Sequence, residues 1–232
     1  MHADSVTKTA RRLGLLYFLL AVSTVLDEFF LGTGFVVAND AAATAHNILA
    51  DPLRFRLSFL FGVIGQSLSA VLIVGLYRLF RNVDARQALL MLIFWMMGSV
   101  LVLSTMSTKL LTLAILNGSD YLPGFTGQQL ESLAFVFYKM RTGGMSLVIG
   151  FWGLWLFPFG VLVIRSRMFP RILGYCLFVA GLGYVISSLT AIAFPDLNKA
   201  LSSYLMPLYF GEIPIILWLL IKGAKAPDPL VA

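Results

Sequence analysis

The stretch Leu13-Gly14-Leu15-Leu16-Tyr17-Phe18-Leu19-Leu20-Ala21-Val22-Ser23-Thr24-Val25-Leu26-Asp27-Glu28-Phe29-Phe30-Leu31-Gly32-Thr33-Gly34-Phe35-Val36-Val37 carries two acids in an otherwise apolar run. It is too long for the core of a signal peptide and has no convincing cleavage site, so it reads as a membrane helix kept in the mature chain. A helix needs about 20 mainly apolar residues to cross a hydrocarbon core of about 30 Å. Five more windows meet that length: Leu57 to Phe80, Ala88 to Leu116, Met145 to Ile164, Ile172 to Phe194 and Tyr204 to Ile221.

The composition agrees with six spans. Hydrophobic residues make up 59% of the 232 positions and charged residues 12%, about half of the share of roughly 25% found in soluble domains. Too few charges remain to coat a soluble globule, and no long polar stretch divides the chain. The expected fold is all-α: one transmembrane domain over residues 1–232, a six-helix bundle with the lipid bilayer as its surroundings. The net charge of +6 comes from Lys and Arg scattered beside apolar runs. They form no basic face, and nucleic acid is not an expected partner.

Cytoplasmic loops retain positive charge. With the N-terminus inside, one side holds Lys8, Arg11, Arg12, Arg78, Arg81, Arg86, Arg165, Arg167, Arg171, Lys222 and Lys225, and the other holds Arg54, Arg56, Lys109, Lys139, Arg141 and Lys199. Eleven against six places both termini in the cytoplasm. The outer cations then need an explanation, and five of them, all but Lys199, are expected near outer helix ends. Two outer segments are also longer than simple connections require. The first, Ala38 to Arg56, contains His46-Asn47 and has three options: to extend the first helix, to lie on the surface or to fold back into the bundle mouth. The second runs from the turn-rich Asn117 to Gly127 through an amphipathic stretch to Gly143-Gly144, where a bend is expected. Asn117-Gly118-Ser119 matches a glycosylation acceptor, which in a bacterial protein means only a turn.

Adjacent carboxylates inside a span cost about 2.5 kcal/mol or more each unless paired, protonated or wet. Asp27 and Glu28 are therefore the strongest functional pointer. On α-helical spacing Glu28 shares a face with Ala21, Thr24 and Gly32, and Asp27 shares one with Ser23 and Gly34. Glu212 is a third intramembrane acid, set in Gly211-Glu212-Ile213-Pro214. Pro214 is expected to leave a carbonyl one turn earlier without a partner, making the sixth helix a candidate cavity wall. The candidate polar pocket consists of Asp27, Glu28, His46, Asn47, Arg54, Arg56, Lys139, Arg141 and Glu212. It would take a cation, a polar small molecule or a lipid.

Competing readings weigh against that pocket. The charges can be structural ion pairs that fix helix register, with outer Lys and Arg reaching for headgroups. An enzyme acting on a lipid-like substrate is a further alternative. Asp27, Glu28, His46 and Glu212 are the only plausible metal ligands, and no HExxH or close His pairing supports them. His2 lies in the polar tail, and no Gly-x-Ser-x-Gly elbow accompanies His46. Cys176 stands alone in an apolar run. No cofactor and no resident metal are expected, and catalytic residues are not identifiable.

Several short motifs resemble a bacterial membrane family known as domain of unknown function 4386. They are Arg12-Leu13-Gly14-Leu15-Leu16-Tyr17, Ala45-His46-Asn47-Ile48 with Leu53-Arg54-Phe55-Arg56, and Gly153-Leu154-Trp155-Leu156 with Gly160. Ser166, Pro170-Arg171-Ile172-Leu173-Gly174 and Ala180-Gly181-Leu182-Gly183-Tyr184 continue the match. The resemblance implies a compact multispanning protein of the bacterial inner membrane and brings no catalytic residues with it. Once Cys176 has been replaced by Ser, thiols introduced near Asn117 are expected to react with an impermeant reagent on intact cells. Thiols near Arg167 are expected to react only after lysis, and the reverse pattern would invert the topology.

Overall fold

A helix begins where a side chain can satisfy the first free backbone N–H groups, and four such starts are built here. In the computed structural model, which describes residues 3–118 and 122–225, Asp40 accepts the N–H of Ala43 at 2.8 Å and opens α2, Ala41–Ala50. Asp51 accepts the N–H of Arg54 at 3.0 Å and opens α3, Pro52–Phe80, with proline at the position where a missing N–H costs nothing. Asp84 accepts the N–H of Gln87 at 3.0 Å and opens α4, Ala85–Leu116. Thr126 and Gln129 cap reciprocally at the head of α5, Gly127–Ser166.

The remaining elements are α1 (Ala3–Val25), which runs into a π turn at Leu26–Leu31, α6 (Arg171–Ala193), α7 (Pro195–Tyr209), a 3-10 turn at Phe210–Glu212 and α8 (Ile213–Ile221). Six helical stretches are long and apolar enough to cross a membrane: Ser5–Leu31, Pro52–Phe80, Ala85–Leu116, Gly127–Ser166, Arg171–Ala193 and Pro195–Ile221. Among the described residues there is no strand, only an isolated bridge between Val37 and Asp40. His2, Ser119 and Asp120 lie outside the described residues.

The residues group into two compact units. The first comprises residues 1–19, 67–100 and 146–232, and the second residues 20–66 and 101–145. In the first, α6 packs on α7 and α8, and bare backbone lets helices approach closely. A methyl group on Gly153 would come within 2.7 Å of the carbonyl of Gly181, and one on Gly160 within 2.9 Å of that of Gly174. The second unit has its own apolar cluster of Phe35, Ile48, Phe55, Leu113 and Tyr138, in which Phe35 and Phe55 meet edge to face at 5.2 Å. Ile48 brings α2 into this cluster, with Thr44 and Ala45 buried on the same face. Of the three options for the first outer segment, folding back against the helices is the one taken.

Three sequence expectations change. The first span ends at Leu31, six residues before Val37, because Gly32 closes the π turn and Gly34 turns the chain at φ 81°. Helix α5 is unbroken through Gly143 and Gly144 over 40 residues, a length of about 60 Å at 1.5 Å per residue. Pro214 leaves no orphan: the N–H of Ile213 donates to the carbonyl of Phe210, so the 3-10 turn supplies the partner that proline cannot.

Asp84 generates a test. The Gln87 N–H holds its carboxyl below the usual carboxylate range, Arg165 adds to this, and burial opposes it. Its contribution is present above the ordinary Asp value of about 4 and is lost as the pH falls through the lowered folded value. Asp84→Ala is expected to cost about 1 kcal/mol at neutral pH, with the gap to wild type narrowing on acidification. Unfolding in detergent at several pH values measures it, and a gap that stays constant to low pH would rule out the capping account.

Candidate functional site

Asp27 and Glu28 lie on the π turn, and the extra residue in that turn decides which way they face. The N–H of Gly32 donates to the carbonyl of Asp27 at 2.6 Å, five residues back. This groups Gly32 with Asp27, not with Glu28 as α-helical spacing predicts. A methyl group on Gly32 would stand 3.1 Å from Ser58 Oγ, and one on Gly62 of α3 only 2.9 Å from Asp27 Oδ2 and 2.6 Å from Met106. Glycine at these positions leaves room for the carboxylate. One turn before it, Ser23 donates to the Phe61 carbonyl at 2.7 Å and ties α1 to α3.

The Asp27 side chain is 9% exposed and its carboxylate meets two partners. Ser58 of α3 donates to Oδ1 at 2.5 Å, and Lys109 of α4 donates to the same oxygen at 2.8 Å and to Ser58 Oγ at 2.6 Å. All three side chains are buried. Lys109 is seven residues from the end of α4, about 10 Å inside it at 1.5 Å per residue. It is an internal counter-ion and not one of the helix-end cations the charge map predicts. Glu28 has a separate partner, Arg141 of α5, whose guanidinium Nη2 donates to Oε1. The Nε of Arg141 is buried with no hydrogen-bond partner.

The other predicted residues of this unit do different work. Asn47 donates to the Phe35 carbonyl at 3.3 Å. Arg54 donates to the Thr33 carbonyl at 3.0 Å, lies 4.3 Å from the Phe35 ring centroid and pairs with Asp51 at 3.7 Å. These contacts staple the segment after the π turn onto α3. His46 and Arg56 are exposed. Lys139 is exposed too, and its ammonium stands 5.2 Å from the Phe135 ring centroid. Beside α2, a crevice of about 150 Å³ in total, lined in part by Ala45, Thr112 and Glu131, is too narrow for a water molecule.

Glu212 belongs to the other unit. Tyr17 of α1 donates to its Oε2, and the Tyr184 phenol of α6 lies near the same carboxyl. Among the described residues, no three of His, Cys, Asp and Glu are placed to hold a metal ion. Ser58 beside Lys109 has the composition of a nucleophile with a lysine base, but the ammonium donates to Asp27 and the serine is fully buried. A base needs a free lone pair and a nucleophile needs access to its substrate. The trio meets neither condition.

An all-helical chain with six membrane-length helices and ion pairs inside them is an integral, multi-pass membrane protein. The chain belongs to the family described as "Domain of unknown function (DUF4386)", whose profile matches residues 13–223. It is similar to an uncharacterized protein of Archaeoglobus fulgidus, 36% identical over 78 residues, which are 34% of this chain. The match spans 45% of that archaeal relative. No solved structure matches.

Ser58 and Tyr17 are residues the pocket prediction omits, and Lys109 was expected only among the outer cations at the helix ends. Lys109 had a signal, a lysine two turns inside an apolar helix; Ser58 and Tyr17 had none beyond their type. Breaking a buried pair by removing one partner costs about 3–5 kcal/mol, whereas replacing both charges is far cheaper. Lys109→Met is therefore expected to lower stability by that amount, and Lys109→Met with Asp27→Asn to recover most of it. Equal losses in the single and double variants would show that the pair is not coupled.

Proposed function

We propose that the chain binds a small polar molecule carrying an acceptor group at the Asp27-Glu28 turn, from the outward side of a membrane in which both termini are cytoplasmic. One observation carries the reading: Arg141 pairs with Glu28 through one nitrogen and keeps a second, buried N–H without a partner. Buried donors without acceptors are rare in folded proteins and ask for an explanation. A ligand with an acceptor for Arg141 and a positive or donor group for Glu28 supplies both halves. The π turn supports the same reading, since such turns occur frequently at functional sites. Asp27, Ser58 and Lys109 act behind it as a fixed brace. The bacterial inner membrane is the proposed location.

A structural role is the second reading, favoured by one fact: Asp27 and Glu28 each already hold a cation of the protein. The two readings part under a thermal-stabilisation screen of polar metabolites on purified protein in detergent. A ligand at a hundred times its Kd adds about 2.7 kcal/mol to the folded state. The expected result is a stabilising compound whose effect disappears in Glu28→Gln and in Arg141→Gln and survives in Glu212→Gln. A library without a single stabilising compound, or a shift that survives in all three variants, would leave only the structural reading.

A further inference from the structure

The three intramembrane acids are not equivalent. Asp27 has Lys109 and Glu28 has Arg141, but among the described residues no lysine or arginine lies within 4 Å of Glu212. Its partner is a phenol, Tyr17, buried on α1, with a second phenol, Tyr184, half-buried on α6, nearby. Tyr184 stacks on Tyr209 at 4.4 Å between centroids, and Tyr17 tilts against Trp155 at 6.2 Å, so the surroundings beyond the hydroxyls are aromatic.

The backbone is arranged to bring the carboxyl to these phenols. A methyl group on Gly211 would come within 2.5 Å of the Cys176 carbonyl, so only glycine lets the 3-10 turn lie against α6. Gly14 does the same for α1, where a methyl group would overlap the backbone of Leu219 and Leu220 in α8. Gly183 leaves space for Leu208. The titratable groups around the carboxyl are Tyr17 from α1 and Tyr184 from α6, with Tyr209 stacked behind Tyr184 and the Cys176 thiol also on α6.

A carboxylate without a counter-ion is expensive in hydrocarbon, and the ways out are pairing, water or a bound positive charge. Among the described residues no lysine or arginine pairs with it, and the Tyr17 hydroxyl already takes one of its oxygens. We propose that Glu212 is a proton-binding site within the membrane, the proton taking the place that Lys109 and Arg141 take beside the other two acids. Tyr17 holds the carboxyl in either state, since a phenol both donates and accepts. This assignment is independent of the site at the π turn.

The hydrophobic reagent dicyclohexylcarbodiimide tests it on the full chain in lipid vesicles. The reagent requires a protonated carboxyl: the acid proton moves to a carbodiimide nitrogen, the oxygen bonds to the central carbon, and acyl migration gives a stable N-acylurea. Mass spectrometry should find the adduct on Glu212 and not on Asp27 or Glu28. Its formation should fall by up to about tenfold per pH unit above the midpoint, and Tyr17→Phe should move that midpoint. An infrared difference between wild type and Glu212→Gln should contain the carbonyl stretch of a protonated carboxylic acid. Equal labelling of Asp27 or Glu28, labelling independent of pH, absence of both adduct and infrared band, or protection by sodium at constant pH and ionic strength would each overturn the proton assignment.

Discussion

Inside a bilayer no water is available to satisfy a polar group that the protein leaves unpaired. Two departures from regular α-helix in this chain carry their own compensation. Gly32 closes the π turn on the Asp27 carbonyl, and Ile213 takes over the Phe210 carbonyl that Pro214 cannot reach. The intramembrane acids follow the same rule, with an internal cation for Asp27 and for Glu28 and the Tyr17 phenol for Glu212, while the Nε of Arg141 stands unpartnered. The charges in these spans are therefore organised helix by helix.

That organisation sets how far the sequence could be read. Span number depends on length and hydropathy, which are local, and the six windows reappear as six membrane-length helices. Helix starts are set as locally, since Asp40, Asp51, Asp84 and Thr126 act on backbone three residues away. The apolar windows did not mark them, and α3 and α5 begin at Pro52 and Gly127, ahead of the expected Leu57 and Met145. The end of the first span was not legible, because an apolar run cannot announce that Gly32 closes a wider turn. Partner choice was legible least of all. Lys109 and Asp27 are 82 residues apart, and Tyr17 and Glu212 are 195, so only packing brings them together.

Membership of an uncharacterised family adds no chemistry to these residues, which places the weight on the geometry. The first outer segment shows what geometry adds. Its polar residues looked like pocket walls, yet Asn47 and Arg54 are spent on backbone carbonyls, and the buried face of α2 is apolar apart from Thr44. His46 and Arg56, which face outward, are separated from that work. Residue type alone could not divide the segment in this way.

The π turn also works as a phase shifter. An α-helix advances about 100° per residue, so one additional residue in a turn rotates everything beyond it by about that angle. Through this offset the chain leaves Phe29 and Phe30 exposed, each at 64%, while Asp27 faces inward and Gly32 comes up beside it. A regular helix through the same letters would give the acids and the aromatics different neighbours. The extra residue re-phases only the last turn of this span, Leu26–Leu31, and leaves the regular helix before it untouched.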